Sequence, residues 1–297
     1  MKTITLKGAF AALFFVSAVQ GQNQDVLIEI IQAQGNVKML KGRGGNIAVL
    51  AGVDKVLLVD DQFADMTPKI LAAVRTVSDK PVHFLLNTHW HGDHTGGNTN
   101  IGAMGTTIVA HENVRKRLKD DQTTKNLSQS DALPEITFAN GLNFHFDDEE
   151  ITFFHSHRGH TDGDAMVYFM TSNVLHTGDL FFNGRYPYID LNSGGDVQGY
   201  IKSVEHALML INEDTVIIPG HGELATKEEY QDFLEMLRYL EKNISGAIQS
   251  GKTKEAILAD ASLTQKYDAL QFGTGFINGE RIRQLFYDSL VAPLEQE

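Results

Sequence analysis

The stretch NTHWHGDHTGG, Asn87 to Gly97, places His89, His91, Asp93 and His94 within six consecutive positions, directly after the apolar run VHFLL. A solvated loop accounts for one histidine after a strand, but poorly for three with a carboxylate. The chain has 12 histidines in 297 residues, so a quarter of them crowd into this one window. The chemistry such a cluster serves is metal binding. In an extended chain alternate residues point the same way, so His89 and His91 can reach one ion together. Asp93 and His94 follow a glycine, where the backbone is free to bend toward a neighbouring point.

A site of this kind needs ligands from elsewhere in the chain. The chain has no cysteine, which removes thiolate ligands, disulfides and Cys nucleophiles. Histidines, carboxylates and water must complete the shell. Three places qualify, each at the end of a strand-like run and flanked by glycine: His160 in RGHTDGD, Asp179 in LHTGD and His221 in IIPGHG. Together they give five His and two Asp, enough for two divalent ions. Imidazole with carboxylate favours zinc over calcium or magnesium. His157 rivals His160 but lies outside the GHTDG motif. His83 and His176 fall inside strand-like runs and fit core or surface roles. His111 fits a cap or flank of the helix ENVRKRL, and His145, His155 and His206 have no partner motif. Trp90, between two ligand candidates, can line a pocket or simply pack. Asn183, Arg185 and Tyr186 follow Asp179 on an expected loop and are candidates for orienting substrate.

These residues need strands to hold them. VLIEII, NVKML, NIAVLAG and KVLLVDD are short apolar runs punctuated by Gly and Asp, the pattern of strands joined by tight turns. GRGGN at Gly42 to Asn46 is a turn; no helix start or Lys-Ser/Thr follows it, so it is no phosphate cradle. MTPKILAAVRTV is helical, with Thr67 expected at the N-cap and Pro68 at the first helical position. PVHFLLN is a strand feeding the histidine cluster, and TTIVAHENVRKRLKDD is strand then helix. QTTKNLSQSDALPEIT is an expected surface loop. LNFHF, EITFFHSH, DAMVYFM and NVLHTGD are four more strands, DVQGYIKSVEHALMLI is a helix and TVIIPGHG a strand ending in a turn. From Thr226 onward the pattern is helical, notably KEEYQDFLEMLRYLEKNISGAI and GERIRQLFYDSLV. Strand-rich blocks interleave with helices in both halves, as two packed sheets with helices outside would require.

The totals are those of a soluble globular protein: 42% hydrophobic and 21% charged, with a formal charge of -13. That balance argues against nucleic acid as a partner, because phosphate backbones need basic patches. The opening MKTITLKGAFAALFFVSAVQGQNQ has Lys2 and Lys7 before an apolar run and small residues after it, the layout of a secretory signal peptide. The expectation is cleavage between Ala18 and Gln22, leaving residues 22–297 as one exported domain, periplasmic or secreted. The run is too short for a stable membrane anchor, which takes about 20 residues. Oligomeric state is not legible.

HWHGDH, GHTDGD, TGD and PGHG, in that order, resemble the ligand motifs of the metallo-β-lactamase-fold hydrolase superfamily. The resemblance covers nearly the whole chain after the leader and implies an α/β fold: an αββα sandwich of two packed mixed sheets with helices on the outer faces. It implies His89, His91 and His160 on a first zinc, Asp93, His94 and His221 on a second, and Asp179 bridging them. The chain has Asp179 where one lactamase subgroup has Cys, and His91 where the diiron oxygen-reducing branch favours Glu. The inserted domain and basic surfaces of the nucleic-acid-processing branch are not seen. LLVDDQF and GDLFFNGRYPYID are more similar to exported lactamase-related hydrolases than to glyoxalase II.

Two zinc ions roughly 3.5–4 Å apart can share a hydroxide at neutral pH, which can attack a carbonyl while Asp93 handles the proton. No G-x-S-x-G elbow suggests another nucleophile. The expected function is an exported dinuclear-zinc hydrolase of an amide or ester carbonyl in a small molecule, β-lactams first. Lactone, thioester or sulfur-ester hydrolysis is the second reading. A non-catalytic metal-binding protein is the reading from another class.

Overall fold

A computed structural model describes residues 26–124 and 130–292. The signal-peptide expectation for residues 1–21 lies outside the described residues. The first sheet has seven strands in sequence order: β1 (Glu29–Gln34), β2 (Val37–Lys41), β3 (Ile47–Ala51), β4 (Val56–Val59), β5 (Val82–Asn87), β6 (Thr107–His111) and β7 (Ile136–Phe138). β1 to β4 form an antiparallel meander; β5, β6 and β7 then add in parallel. The second sheet has β8 (Gly141–Phe146), β9 (Glu149–His155), β10 (Ala165–Phe169), β11 (Val174–His176) and β12 (Val216–Ile218), in the order β12-β11-β10-β9-β8. Only the β11–β12 pair there is parallel. Both sheets are therefore mixed.

The apolar runs are continuous because the sheets are covered on both faces. Met39, Ala48, Leu57, Leu86 and Val109 point inward and meet Phe153, Val167, Phe169 and Val174 of the second sheet. Their neighbours Leu40, Val49, Leu58, Leu85 and Ile108 point outward against α1 (Thr67–Val77), whose Ile70 and Val74 are buried there. The outer face of the second sheet, with Phe154, Met166, Leu175 and Ile217, packs on the long helices that follow in the chain. Three apolar layers thus separate four layers of structure, as the αββα expectation required.

The remaining helices are α2 (Gly92–Thr95), α3 (Asn98–Gly102), α4 (Glu112–Thr124), α5 (Val197–Leu210), α6 (Lys227–Gln249), α7 (Lys254–Ala259), α8 (Gln265–Asp268) and α9 (Gly279–Val291). Asp196 caps α5 through the Gly199 N–H, and Thr226 with Glu229 forms a capping box on α6. The expected cap of α1 is corrected: Met66 is the N-cap, because a 3₁₀ turn at Ala64–Met66 runs straight into the helix. The expected loop before Thr137 holds a 3₁₀ turn, Ser130–Ala132, and the edge strand β7. His111 does serve α4, its Nδ1 accepting from the Asn113 N–H. No helix among the described residues is long and apolar enough to cross a membrane.

Candidate metal centre

β4, β5, β11 and β12 all end at one edge of the sandwich, and the polar residues just beyond them meet there. β5 delivers Thr88 and His89, then the turn into α2 brings His91, Asp93 and His94. The segment after β9 carries His160, the turn after β11 carries Asp179, and the turn after β12 carries His221. Ligands just past strand ends inherit the rigidity of the sheet. All seven sequence-selected residues converge in two groups that can hold a metal ion: His89, His91, His160 and Asp179, and Asp93, His94 and His221.

Asp179 stands between the groups with one oxygen toward each. Its Oδ2 lies 3.4 Å from His160 Nε2 and 3.7 Å from His89 Nε2. Its Oδ1 lies 3.0 Å from His94 Nε2 and 3.3 Å from His221 Nε2. Asp93 Oδ2 is 3.3 Å from His221 Nε2 and 3.8 Å from His94 Nε2. Two glycines permit this crowding. A Cβ on Gly45 would fall 2.1 Å from His94 Cε1, and one on Gly220 would fall 2.2 Å from Asp179 Oδ1.

The far side of each imidazole shows which nitrogen faces inward. His89 Nδ1 donates to Thr88 Oγ1 (3.1 Å), whose own hydroxyl donates to Asp60 (2.8 Å). His94 Nδ1 donates to the same Asp60 oxygen at 2.7 Å. His160 Nδ1 donates to the Tyr188 carbonyl at 2.8 Å, and His91 Nε2 donates to Asp190 at 2.9 Å. These tautomers follow from the hydrogen-bond network. They leave His89, His94 and His160 presenting a bare Nε2 and His91 a bare Nδ1.

Two observations then test whether a cation fits. His91 Nδ1 and His160 Nε2 face each other at 2.8 Å with two lone pairs and no proton assigned between them. His89 Nε2, His94 Nε2 and Asp179 Oδ1 are buried without a hydrogen-bond partner, although 3.0 Å separates the last two, so the approach is misaligned for a bond. Buried polar atoms are rarely orphaned. Lone pairs that converge on common points, with carboxylate charge beside them, suit divalent cations.

The electrostatics agree. Burial pushes His89 and His160 down, the latter to about 4, keeping them neutral donors. Burial also pulls on His94 and His221, but Asp179 overrides it and raises both, His221 to about 9. The carboxylates thus call for positive charge at this spot. Burial works against the charge of Asp190 as well, yet hydrogen bonds from His91 and Ser193 hold it at about 2.

Other sequence candidates separate clearly. His157 is exposed and 6.0 Å from His155, away from the cluster. His83 is exposed, and His176 is buried, with Nε2 donating to the Asn46 carbonyl. Trp90 is half-buried, its ring 5.1 Å from His91 and 6.0 Å from the Arg117 guanidinium. Asn183 and Arg185 line a cavity of about 420 Å³ that opens beside His221. Tyr186 is corrected: only 1% exposed, its hydroxyl donates to Asp268 (3.0 Å), so it anchors the loop and does not face substrate. Asp60, Thr88, Tyr188 and Asp190 also serve the site without being marked as candidates by the sequence. The run VLLVDD offered a signal for Asp60, an acid at a strand end beside the histidine-bearing strand; Asp190 offered none.

Residues 40–221 match the Metallo-beta-lactamase superfamily, and the chain belongs to that family. It is 28% identical over 156 residues to a hydroxyacylglutathione hydrolase of Pelagibacter ubique, covering 50% of this chain and 56% of that protein. It is 25% identical over 177 residues to a metallo-beta-lactamase type 2 of Bacteroides fragilis, covering 58% and 66%. The matched stretch therefore spans little more than half of the first relative. Among solved structures, a metallo-beta-lactamase from Pontibacter korlensis superposes with a TM-score of 0.61 at 18% identity, covering 71% of this chain and 99% of that one. A double mutant of the sec-alkyl sulfatase PisA1 superposes with a TM-score of 0.70 at 14% identity, covering 89% and 50%. At such identities the likeness is one of fold. The protein is thus a member of the metallo-β-lactamase superfamily with a candidate metal site.

Proposed function

We propose that the chain holds two zinc ions and hydrolyses an amide or ester carbonyl of a small molecule, with β-lactams the first substrates to test. The observation that carries this reading is the set of four bare imidazole nitrogens converging around the two oxygens of Asp179. Bound zinc supplies Lewis acidity, lowering the pKa of water to about 7 and polarising a carbonyl. The chain's own residues do the rest. Asp93 is partly exposed at the mouth, 3.3 Å from His221, where a carboxylate can take a proton from water and return it to the leaving group. The cavity beside His221 gives a small molecule room. Lys41 and Arg43 on its wall pair with Glu223 and Asp65, whereas Arg185 has no carboxylate partner among the described residues. Arg185 is placed to meet an anionic substituent. Lactones, thioesters and sulfur esters are the second reading, favoured by relatives whose names span hydroxyacylglutathione hydrolase and sulfatase. Export after removal of residues 1–21 completes the proposal.

The test is metal analysis of purified protein beside a panel of β-lactams, lactones and thioesters. About two zinc per chain and chelator-sensitive turnover are expected. Asp93→Asn should lose on the order of 100-fold in kcat when assayed with zinc in excess, so that the second group stays loaded. Full turnover by metal-free protein would sink the reading.

A further inference from the structure

On that hydrolase reading, we infer that Phe276 and Tyr188 form a specificity wall beside the first histidine group, taking an aryl or medium-chain alkyl substituent of the substrate. Phe276 comes from the C-terminal layer, beyond the residues 40–221 that match the family. It is 70% exposed. An isolated exposed phenylalanine is ordinary, but this one is held in place. Arg281 Nη1 donates to the Phe276 carbonyl at 3.1 Å, and the guanidinium carbon sits 4.4 Å from the ring centre. The Phe276 ring meets Tyr188 at 5.9 Å and 84°, an edge-to-face contact. The Tyr188 ring in turn lies 6.0 Å from His91 and 5.7 Å from His160. An unbroken aromatic surface therefore runs from solvent to the two imidazoles. Its loop is fixed at the other end, where the Tyr186 N–H donates to the Phe272 carbonyl at 3.1 Å.

A substrate whose carbonyl sits at the metal groups can lay an apolar substituent along this surface. Such a contact exists before and during reaction, so it lowers KM more than it raises kcat. The other side of the centre is the polar cavity at His221. The two sides together select substrates with one apolar arm.

The experiment uses the full zinc-loaded chain and 4-nitrophenyl acetate, butyrate and hexanoate. Wild type should gain roughly tenfold in kcat/KM from acetate to hexanoate, mainly through KM. Phe276→Ala should lose that gain, Phe276→Leu should keep most of it, and Arg281→Ala should fall between. Calorimetric titration with hexanoate gives a second readout, with affinity roughly tenfold weaker on Phe276→Ala. Equal chain-length dependence in wild type and Phe276→Ala overturns the wall and leaves the hydrolase reading standing. If no ester or panel substrate turns over with zinc bound, the hydrolase reading fails. Calorimetry then decides the wall: hexanoate binding that is undetectable, or equal in both proteins, overturns it.

Discussion

Four of the candidate metal ligands, His89, His91, His94 and His160, are aimed by residues that never enter the site. Asp60 serves two of them, accepting from His94 Nδ1 directly and from His89 through Thr88. It is wholly buried and sits in the left-handed region, φ 63, at the end of β4. A strained, buried acid is costly to keep, and its hydrogen bonds to the ligand shell offset that cost. Asp190 does the same for His91 across 99 residues of sequence, as Tyr188 does for His160 through its carbonyl. Removing such a partner frees the ring to rotate and weakens its basicity. Asp190→Ala should therefore bind zinc roughly 10–100-fold more weakly, measured by competition with a chromogenic chelator. Unchanged affinity would show that packing alone orients His91. At this scale the sequence was legible for the convergence of the seven candidate ligands, whose types and glycine flanks mark them. It was silent on Asp190, because an acid at the end of an irregular loop carries no local sign of the imidazole it will meet.

At the scale of elements, the turn between β2 and β3 matters more than its composition suggested. GRGGN is a turn, as expected, but Gly45 also lies flat against His94 and donates its N–H to the Asp93 carbonyl at 3.0 Å. A methyl group there would displace the imidazole of the second group. If wild type keeps the proposed two zinc ions through dialysis, Gly45→Ala should keep only the one in the first group, by elemental analysis; equal retention by both proteins would refute this. A second prediction concerns the edge where the two sheets meet. His111 at the end of β6 stacks on His155 at the end of β9, centroids 3.8 Å apart and nearly parallel. Burial lowers both, repulsion from His111 adds to it for His155, which falls to about 4, and His155 Nδ1 already donates to the Asp164 carbonyl. The unfolded chain takes up a proton near pH 6.5, well before the folded pair does. The stability this pair contributes is thus complete above about pH 6.5 and lost as pH falls from there toward about 4. The fall in Tm between pH 7.5 and 5 should be smaller for His155→Gln than for wild type; equal slopes would assign the acid sensitivity elsewhere.

The whole molecule places seven candidate metal-ligating side chains, most of them buried, at the edge of a sandwich whose three apolar layers close everything else. Carboxylates and imidazoles that cluster so tightly leave buried atoms unpaired, and bound cations relieve this only in the folded state. Zinc at about a thousandfold excess over its Kd should therefore stabilise the fold by roughly 4 kcal/mol per site. A Tm rise on the order of 10 °C is expected on zinc addition, reversed by chelator; a Tm indifferent to metal would contradict the assignment. The sequence by itself determined the strand and helix alternation, because the apolar runs and caps are local signals, and it determined which residues could bind metal, because only His, Asp and Glu remain in a chain without cysteine. Tertiary structure alone decided which nitrogen of each ring faces inward and that Tyr186 is buried. It also decided that an exposed phenylalanine 185 positions beyond His91 stands one aromatic ring away from it (276 − 91). Those are contacts between segments far apart in the chain, and hydrogen-bond direction and ring orientation exist only once the packed sheets and the C-terminal helices have fixed them in space.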